Sequence, residues 1–309
     1  MFETKVSCLA CPAIAAAAGL AFFGALPATA RAWGNDGHRI VNRLAVEHLP
    51  AGVPPFLHSA EAEQEIIYLA PEPDRWQSPA EPELDAAQAP EHFIDLELAE
   101  PLAPLPHNRF DFLAKAYAAG RRPDKIGLLP WQTQEVWERL ESALRNYREI
   151  KAAGKNAGPV EQVAIFYAGW LGHYVGDGSQ PLHTTVQYNG WIGPNPNRYY
   201  TGHQIHRLFE SVFVSANLRS LDVEGKMTPV KAIEGNIFDA YMAYLRRTRS
   251  YVDELYRLDK DGGFDGSGTP SSRAFTAERL AAGASMLRDM IYTAWLRSAQ
   301  AVPQSNHAH

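Results

Sequence analysis

Apolar residues recur close to every 3.6 positions along most of the chain, while runs of strict alternation are few and short. That period belongs to helices that bury one face, and it predicts an all-α, single-domain, multi-helix bundle. One stretch constrains the bundle further. Phe166, Trp170, His173 and Asp177 follow one face of a helix expected from about 160 to 174. An imidazole and a carboxylate four residues apart therefore share a face that should lie deep in the core. Gly176 and Gly178 let the chain turn as the helix ends, and Pro181 holds it extended so that His183 can return to the same place.

Other helices are expected at 36–49, 60–69, 109–119, 132–153, 203–217, 232–258 and 275–300. Pro71-Glu72-Pro73 stops the helix before Asp74, and Gly154 ends the long amphipathic one. The Pro-rich, acidic segment 78–108 reads as loop with a short extended patch at 91–96, and the glycine cluster 262–268 as another loop. No internal repeat or low-complexity linker interrupts the chain, so one domain is expected over 33–302, with a frayed tail at 303–309.

Residues 1–32 read as a signal peptide: a polar start with Glu3 and Lys5, an apolar stretch at 14–26, and Ala30-Arg31-Ala32 before the cut. The apolar stretch is short for a membrane span and is followed by Pro27; no later segment is long and apolar enough to cross a bilayer. The expected product is secreted or periplasmic, without an integral membrane segment or an evident obligate protein partner. Both cysteines, Cys8 and Cys11, fall in the leader. Stability must then come from core packing and bound metal, with ligands limited to His, Asp, Glu and the N-terminus. Without the leader, Lys5 and Arg31 leave the 29 basic residues and Glu3 the 35 acidic ones, giving a formal charge of −7. That balance argues against tight, non-specific binding of long duplex DNA. Bound divalent cations would reverse the charge locally and attract phosphate.

Cleavage before Trp33 would give that residue a free amine beside its own carbonyl, two atoms able to chelate a metal, with His38 five positions on. Further candidates are Asp74, His92, the run His173-x3-Asp177-x5-His183, and the pair His206-x3-Glu210. Each piece alone has an ordinary reading. A His-x3-Asp pair on a helix is more often a hydrogen bond than a ligand set, His38 could be a plain helix residue, and Asp74 after a proline turn could be a cap. His203 adjoins His206, but only His206 has a carboxylate four residues later. Together the set supplies enough nitrogen and oxygen donors for three zinc ions.

In order and spacing, from Trp33 to Glu210, these residues resemble the superfamily that joins bacterial zinc-dependent phospholipase C with the nuclease S-one / P-one family. The run Gly176-Asp177-x-x-Gln180-Pro181-Leu182-His183 carries the resemblance most specifically. The resemblance implies an all-α fold around a trinuclear zinc cluster. One ion would be held by Asp74, His92, His173 and Asp177, and a second by His183, His206 and Glu210. The third would be held by the Trp33 amine and carbonyl and by His38, with Asp177 bridging it to the first. Asp74 would also orient the attacking hydroxide, which close cations make available at neutral pH; the third ion would stabilise the leaving oxygen.

Substrate is less determined. Trp33-Gly34-x-x-Gly37-His38 and His92-Phe93-Ile94-Asp95 resemble the nuclease branch, where the aromatic stacks on a nucleobase and the acid hydrogen-bonds its edge. Alternatively, Phe93 is core and Asp95 a cap or supporting acid. Gln204-Ile205-His206 and Glu210 depart from the Asn-Leu-His-x-x-x-Asp usual in that branch, and Glu210 is as in the phospholipase branch. Loop 186–200 matches neither; its Tyr188, Trp191, Tyr199 and Tyr200 could line the cleft, stacking on bases or surrounding a choline-type cation, or simply pack. The expectation is a secreted zinc-dependent phosphodiesterase, a single-strand-preferring endonuclease or 3′-nucleotidase giving 5′-phosphates. Its substrates would be single-stranded nucleic acid or nucleotides. Alternatives are a phospholipase C acting on a phospholipid headgroup, and a non-enzymatic helical zinc-binding protein.

Overall fold

The computed structural model describes Met1 and residues 33–301. The expected signal peptide with Cys8 and Cys11, and the tail at 303–309, lie outside the described residues. Among those described there is no β-strand, only an isolated bridge between Tyr188 and Gly190. No described helix is long and apolar enough to cross a membrane.

In chain order the α-helices are α1 (Gly34–Glu47), α2 (Ala60–Leu69), α3 (Glu72–Arg75), α4 (Pro82–Gln88), α5 (Leu96–Ala99), α6 (Arg109–Ala118), α7 (Pro123–Ile126) and α8 (Leu129–Ala152). They continue with α9 (Gly158–Asp177), α10 (Ile205–Arg207), α11 (Val214–Asn217), α12 (Ser220–Glu224), α13 (Ile237–Arg249), α14 (Val252–Lys260) and α15 (Pro270–Arg297). The long helices α8 and α9 pack along each other, and α15 packs on both and on α1. Short turns and helices between α2 and α8 close one end of this core.

α1 is fixed to its neighbours by a buried side chain. The Asn42 amide donates to the Ile66 carbonyl (2.9 Å) on α2 and the Gly169 carbonyl (3.0 Å) on α9. Burying a side-chain amide is costly unless it is bonded, so these contacts fix where α1 lies as well as holding it there.

The expected 232–258 helix breaks after Arg249 into α13 and α14, and four further stretches differ from the sequence expectation. The first, 72–75, is a helical turn that carries Asp74, because Pro73 is compatible with the first turn of a helix as well as with a break. Within 78–108 the chain forms α4, α5 and 3₁₀ turns at Ala89–His92 and Glu100–Leu102; of the expected extended patch, Phe93 and Asp95 have extended backbone. In the third, 227–236 is an extended strap and not the start of the 232–258 helix. Its N–H groups at Thr228, Lys231 and Ile233 bond Ser285, Asp289 and Thr293, four residues apart along α15. Those side chains satisfy the donors a helix would otherwise have to pair, and Asn236 then caps α13. Finally, α15 begins at Pro270, not 275, because Thr269 and Ser272 form a reciprocal cap ahead of it.

Candidate metal centre and its cleft

His173 and Asp177 lie on the last turns of α9 and are fully buried. Phe166 and Trp170, further back on the same face, are only half-buried, so that face runs from the core to the surface. His38 comes from α1, stacked on the His173 ring at 4.0 Å between centroids. α3 supplies Asp74, and His92 ends the 3₁₀ turn Ala89–His92. His183 lies in the 3₁₀ turn Pro181–Thr184, and His206 and Glu210 in a helix that widens to π geometry over Leu208–Phe213. Such π segments are rare and concentrate at functional sites.

Three groups of ligand atoms form, each with its atoms within 4.8 Å of one another: His38, His173 and Asp177; Asp74, His92 and His173; His183, His206 and Glu210. Asp177 faces two ways. Its Oδ1 is 3.4 Å from His38 Nε2, while its Oδ2 is 3.2 Å from His92 Nδ1 and 3.4 Å from His173 Nε2. Asp74 Oδ1 stands 3.8 Å from His173 Nε2 and 3.9 Å from His92 Nδ1. In the third group His206 Nε2 is 2.8 Å and His183 Nε2 3.6 Å from Glu210 Oε2.

The donor chemistry tests whether a cation fits. His183 Nδ1 faces the His92 carbonyl at 2.6 Å, and His206 Nδ1 faces the Tyr188 carbonyl at 3.1 Å. A carbonyl only accepts, so each Nδ1 carries the proton and each Nε2 presents a lone pair. Those two lone pairs meet at 3.0 Å, beside a carboxylate. His173 Nδ1 likewise donates to the Ala70 carbonyl at 2.8 Å and turns its Nε2 towards the acids. His92 Nε2, both oxygens of Asp177 and Glu210 Oε1 have no hydrogen-bond partner. At His183, His206 and Glu210 two imidazole lone pairs and a carboxylate converge with separations of 3.0, 2.8 and 3.6 Å, which is the arrangement a cation resolves and one that suits zinc. The residues fit the group.

Electrostatics agree. Burial drives His92 and His173 well below the ordinary histidine pKa and lowers His183, which keeps their imidazoles neutral as ligands. Burial, with the Asp74 and Glu210 carboxylates nearby, pushes Asp177 well up. Burial also works to raise Glu210, but His206 and His183 outweigh it and leave that acid low. Gln180, in the sequence motif but given no role there, donates from Nε2 to Glu210 Oε2 (3.1 Å) while its Oε1 accepts the Leu182 N–H (2.6 Å). It orients the carboxylate from behind.

Trp33 is fully buried against α9. Its indole N–H donates to Ser179 Oγ at 2.7 Å, and its carbonyl accepts the Gly37 N–H at 3.1 Å. Gly34 takes the turn into α1 with φ +46°, a region disfavoured for other residues. The Trp-Gly start of the motif thus has a backbone reason.

A cleft of about 540 Å³ opens onto the cluster, lined by His92, His183 and His206 together with Phe93, Asp95 and Tyr188. Ile94 N donates to the His183 carbonyl at 2.9 Å, and Asp95 N to the Ile126 carbonyl at 2.7 Å, so the 92–95 segment is held on both sides. Gly127, at φ +94°, allows this: a Cβ there would overlap the Phe93 carbonyl. Asp95 occupies the N-cap position of α5 without any side-chain capping bond, and burial, then Glu97, pushes its pKa up to about 7. Asp95 lines the cleft and makes no capping bond, which counts against the capping alternative. Of the loop aromatics, only Tyr188 lines the cleft. Trp191 and Tyr199 pack with Tyr256, and the Tyr199 hydroxyl donates to Asp253 at 2.8 Å. Gln77 and Lys125 also line the cleft. Neither carried a sequence signal, since each reaches the cleft only through a short helical turn whose packing is tertiary.

No curated protein sequence matches the chain. A structure described as Alpha Toxin from Clostridium Absonum is similar over 87% of this chain and 67% of that one, at 12% identity and a TM-score of 0.43. Residues 33–256 match the family described as S1/P1 Nuclease. That span takes in all nine expected metal ligands, and the chain belongs to the S1/P1 nuclease family of phosphodiester hydrolases.

Proposed function

We propose that the chain is an exported, zinc-dependent phosphodiesterase that prefers single-stranded nucleic acid, with 3′-nucleotidase activity and 5′-phosphate products. The observation that carries this reading is one cleft lined by His92, His183 and His206 of the buried ligand clusters together with Phe93 and Asp95. Asp74, His92, His173 and Asp177 would hold one zinc, and His183, His206 and Glu210 a second. Trp33, His38 and Asp177 would hold the third. When bound, zinc supplies an activated water and takes up charge on the phosphoryl oxygens. The chain's own residues do the rest. Asp74 orients the attacking oxygen from the buried side. Phe93 offers a face for a base and Asp95 accepts hydrogen bonds from its edge, so the phosphate is held over the cluster.

The deciding comparison uses mature protein beginning at Trp33, with a chelator control. Chelator-sensitive release of 5′-nucleotides from single-stranded RNA or DNA, and of nucleoside from a 3′-nucleotide, is expected. Release of phosphocholine from phosphatidylcholine micelles instead would assign the site to lipid. Metal binding without turnover on any of them would leave a zinc-binding protein.

Asp95→Ala is expected to lower kcat/KM on nucleotides about tenfold to a hundredfold, and on an aryl phosphodiester by less than about twofold. Equal losses would make Asp95 structural. Because burial, then Glu97, pushes its pKa up to about 7, the wild-type KM for a base bearing an amino group should fall as pH rises through that value. Asp95→Asn should remove that trend.

A protein retaining one residue before Trp33 lacks the free amine. It is expected to hold one zinc fewer and to lose about tenfold or more in activity. Unchanged zinc content would remove the amine from the ligand set.

A further inference from the structure

The α9 face that bears His173 and Asp177 ends at the surface in a patch of half-buried aromatic rings that the cleft does not use. Trp170 meets Trp76 edge to face at 5.4 Å, and Trp76 directly precedes Gln77, a residue of the cleft wall. Further out, Trp170 meets Tyr167 at 6.3 Å, and the Arg139 guanidinium lies over the Trp170 ring at 5.8 Å. Arg75, next to Trp76 in the chain, lies over the exposed ring of Tyr68 at 4.6 Å and also pairs with Glu72. Tyr167 and Arg139 then line a separate groove of about 430 Å³ between α8 and α9, with Asn146 and Val163. Among the described residues no carboxylate lines that groove and Arg139 is its one charged lining residue, although its guanidinium reaches Glu135 at 4.0 Å. Each of the two guanidinium groups thus stacks on a ring of the patch, Arg75 on Tyr68 and Arg139 on Trp170. Tyr167 is ten residues from Asp177, about 15 Å along α9.

We propose that this patch and the groove it leads into form a track for the bases of a single-stranded nucleic acid that flank the bond held in the cleft. Aromatic faces that accept any base, interleaved with arginines that meet the phosphates, are the chemistry of sequence-tolerant single-strand binding. Continuity with the cleft through Trp76 and Gln77 picks out this occupant, because a strand seated over Phe93 must leave the cleft along one of its walls. The inference rests on the nuclease reading above.

The test measures binding and turnover separately, with zinc-loaded protein. The binding probes are a fluorescent phosphorothioate thymidine decamer and the matching dimer. Arg139→Ala combined with Tyr167→Ala is expected to weaken decamer binding about tenfold or more and to shift dimer binding by less than about twofold. Tyr167→Phe keeps the ring face and should bind the decamer as wild type does. Unchanged decamer affinity in the double variant, or equal weakening for both lengths, would overturn the track. So would weaker capture by phosphatidylcholine vesicles with decamer affinity intact, which would make the patch a lipid-facing surface. If wild-type protein cleaves neither the natural decamer nor the dimer, the nuclease reading fails, and the length-dependent affinities still decide the track.

Discussion

Asp177→Asn is expected to remove two equivalents of zinc together and to lower phosphodiester hydrolysis about a thousandfold or more. The expectation follows from the two directions its oxygens face, Oδ1 towards His38 and Oδ2 towards His92 and His173. An asparagine keeps the shape but offers one oxygen and an N–H₂ group, so at least one metal meets a donor where it needs an acceptor. Metal analysis showing only one equivalent lost would end the bridging role. A stability measurement separates ligation from structure. Folding raises the Asp177 pKa, chiefly by burial, so ionising it in the metal-free protein costs stability that grows as pH rises. The neutral asparagine removes that cost. In chelator, the variant should therefore be at least as stable as wild type at neutral pH. In zinc the order should reverse, because wild type gains the binding free energy of two more ions. A variant less stable under both conditions would make Asp177 a structural residue.

Gly172→Ala is expected to cost about 3–5 kcal/mol of stability, although it adds one methyl group to a helix that would ordinarily welcome it. A Cβ at this position would overlap the Asn42 side-chain amide. Moving Asn42 breaks its bonds to the Ile66 and Gly169 carbonyls, so overpacking is joined by an unsatisfied buried amide. The same contact sets the distance between α1 and α9, which carry His38 and His173, so zinc content should fall with stability. Denaturant unfolding of the chelated protein measures the first effect. Asn42→Ala placed in the Gly172→Ala background should recover at least about 1 kcal/mol relative to the additive expectation, because the two changes share one volume. A cost under about 1 kcal/mol for Gly172→Ala alone would refute the packing account.

Much of this protein is readable in one dimension. The 3.6-residue period is a local property of each helix, so the all-helical class and the places of α1, α2, α6, α8 and α9 follow from it. The i,i+4 pairs His173–Asp177 and His206–Glu210 were legible because helical geometry alone brings such residues to one side. Where the readings differ, the reason is a partner distant in sequence. Backbone donors of the 227–236 strap are satisfied by α15, and periodicity carries no record of a hydrogen bond made across about sixty residues. The π widening that carries Glu210 is likewise absent from the pattern of apolar residues.

The sequence by itself determined which atoms were available: no thiol beyond Cys11, and imidazoles and carboxylates on helical faces that had to be buried. Only the tertiary structure decided how they meet. It turned the two oxygens of Asp177 towards different histidines, fixed the tautomers of His173, His183 and His206 through carbonyls of other segments, and put Asp95 in the wall of the cleft. The physical reason is range. Helix periodicity follows from interactions within a few residues, whereas a metal centre is made by lone pairs converging from segments far apart in the chain, and only packing sets their directions.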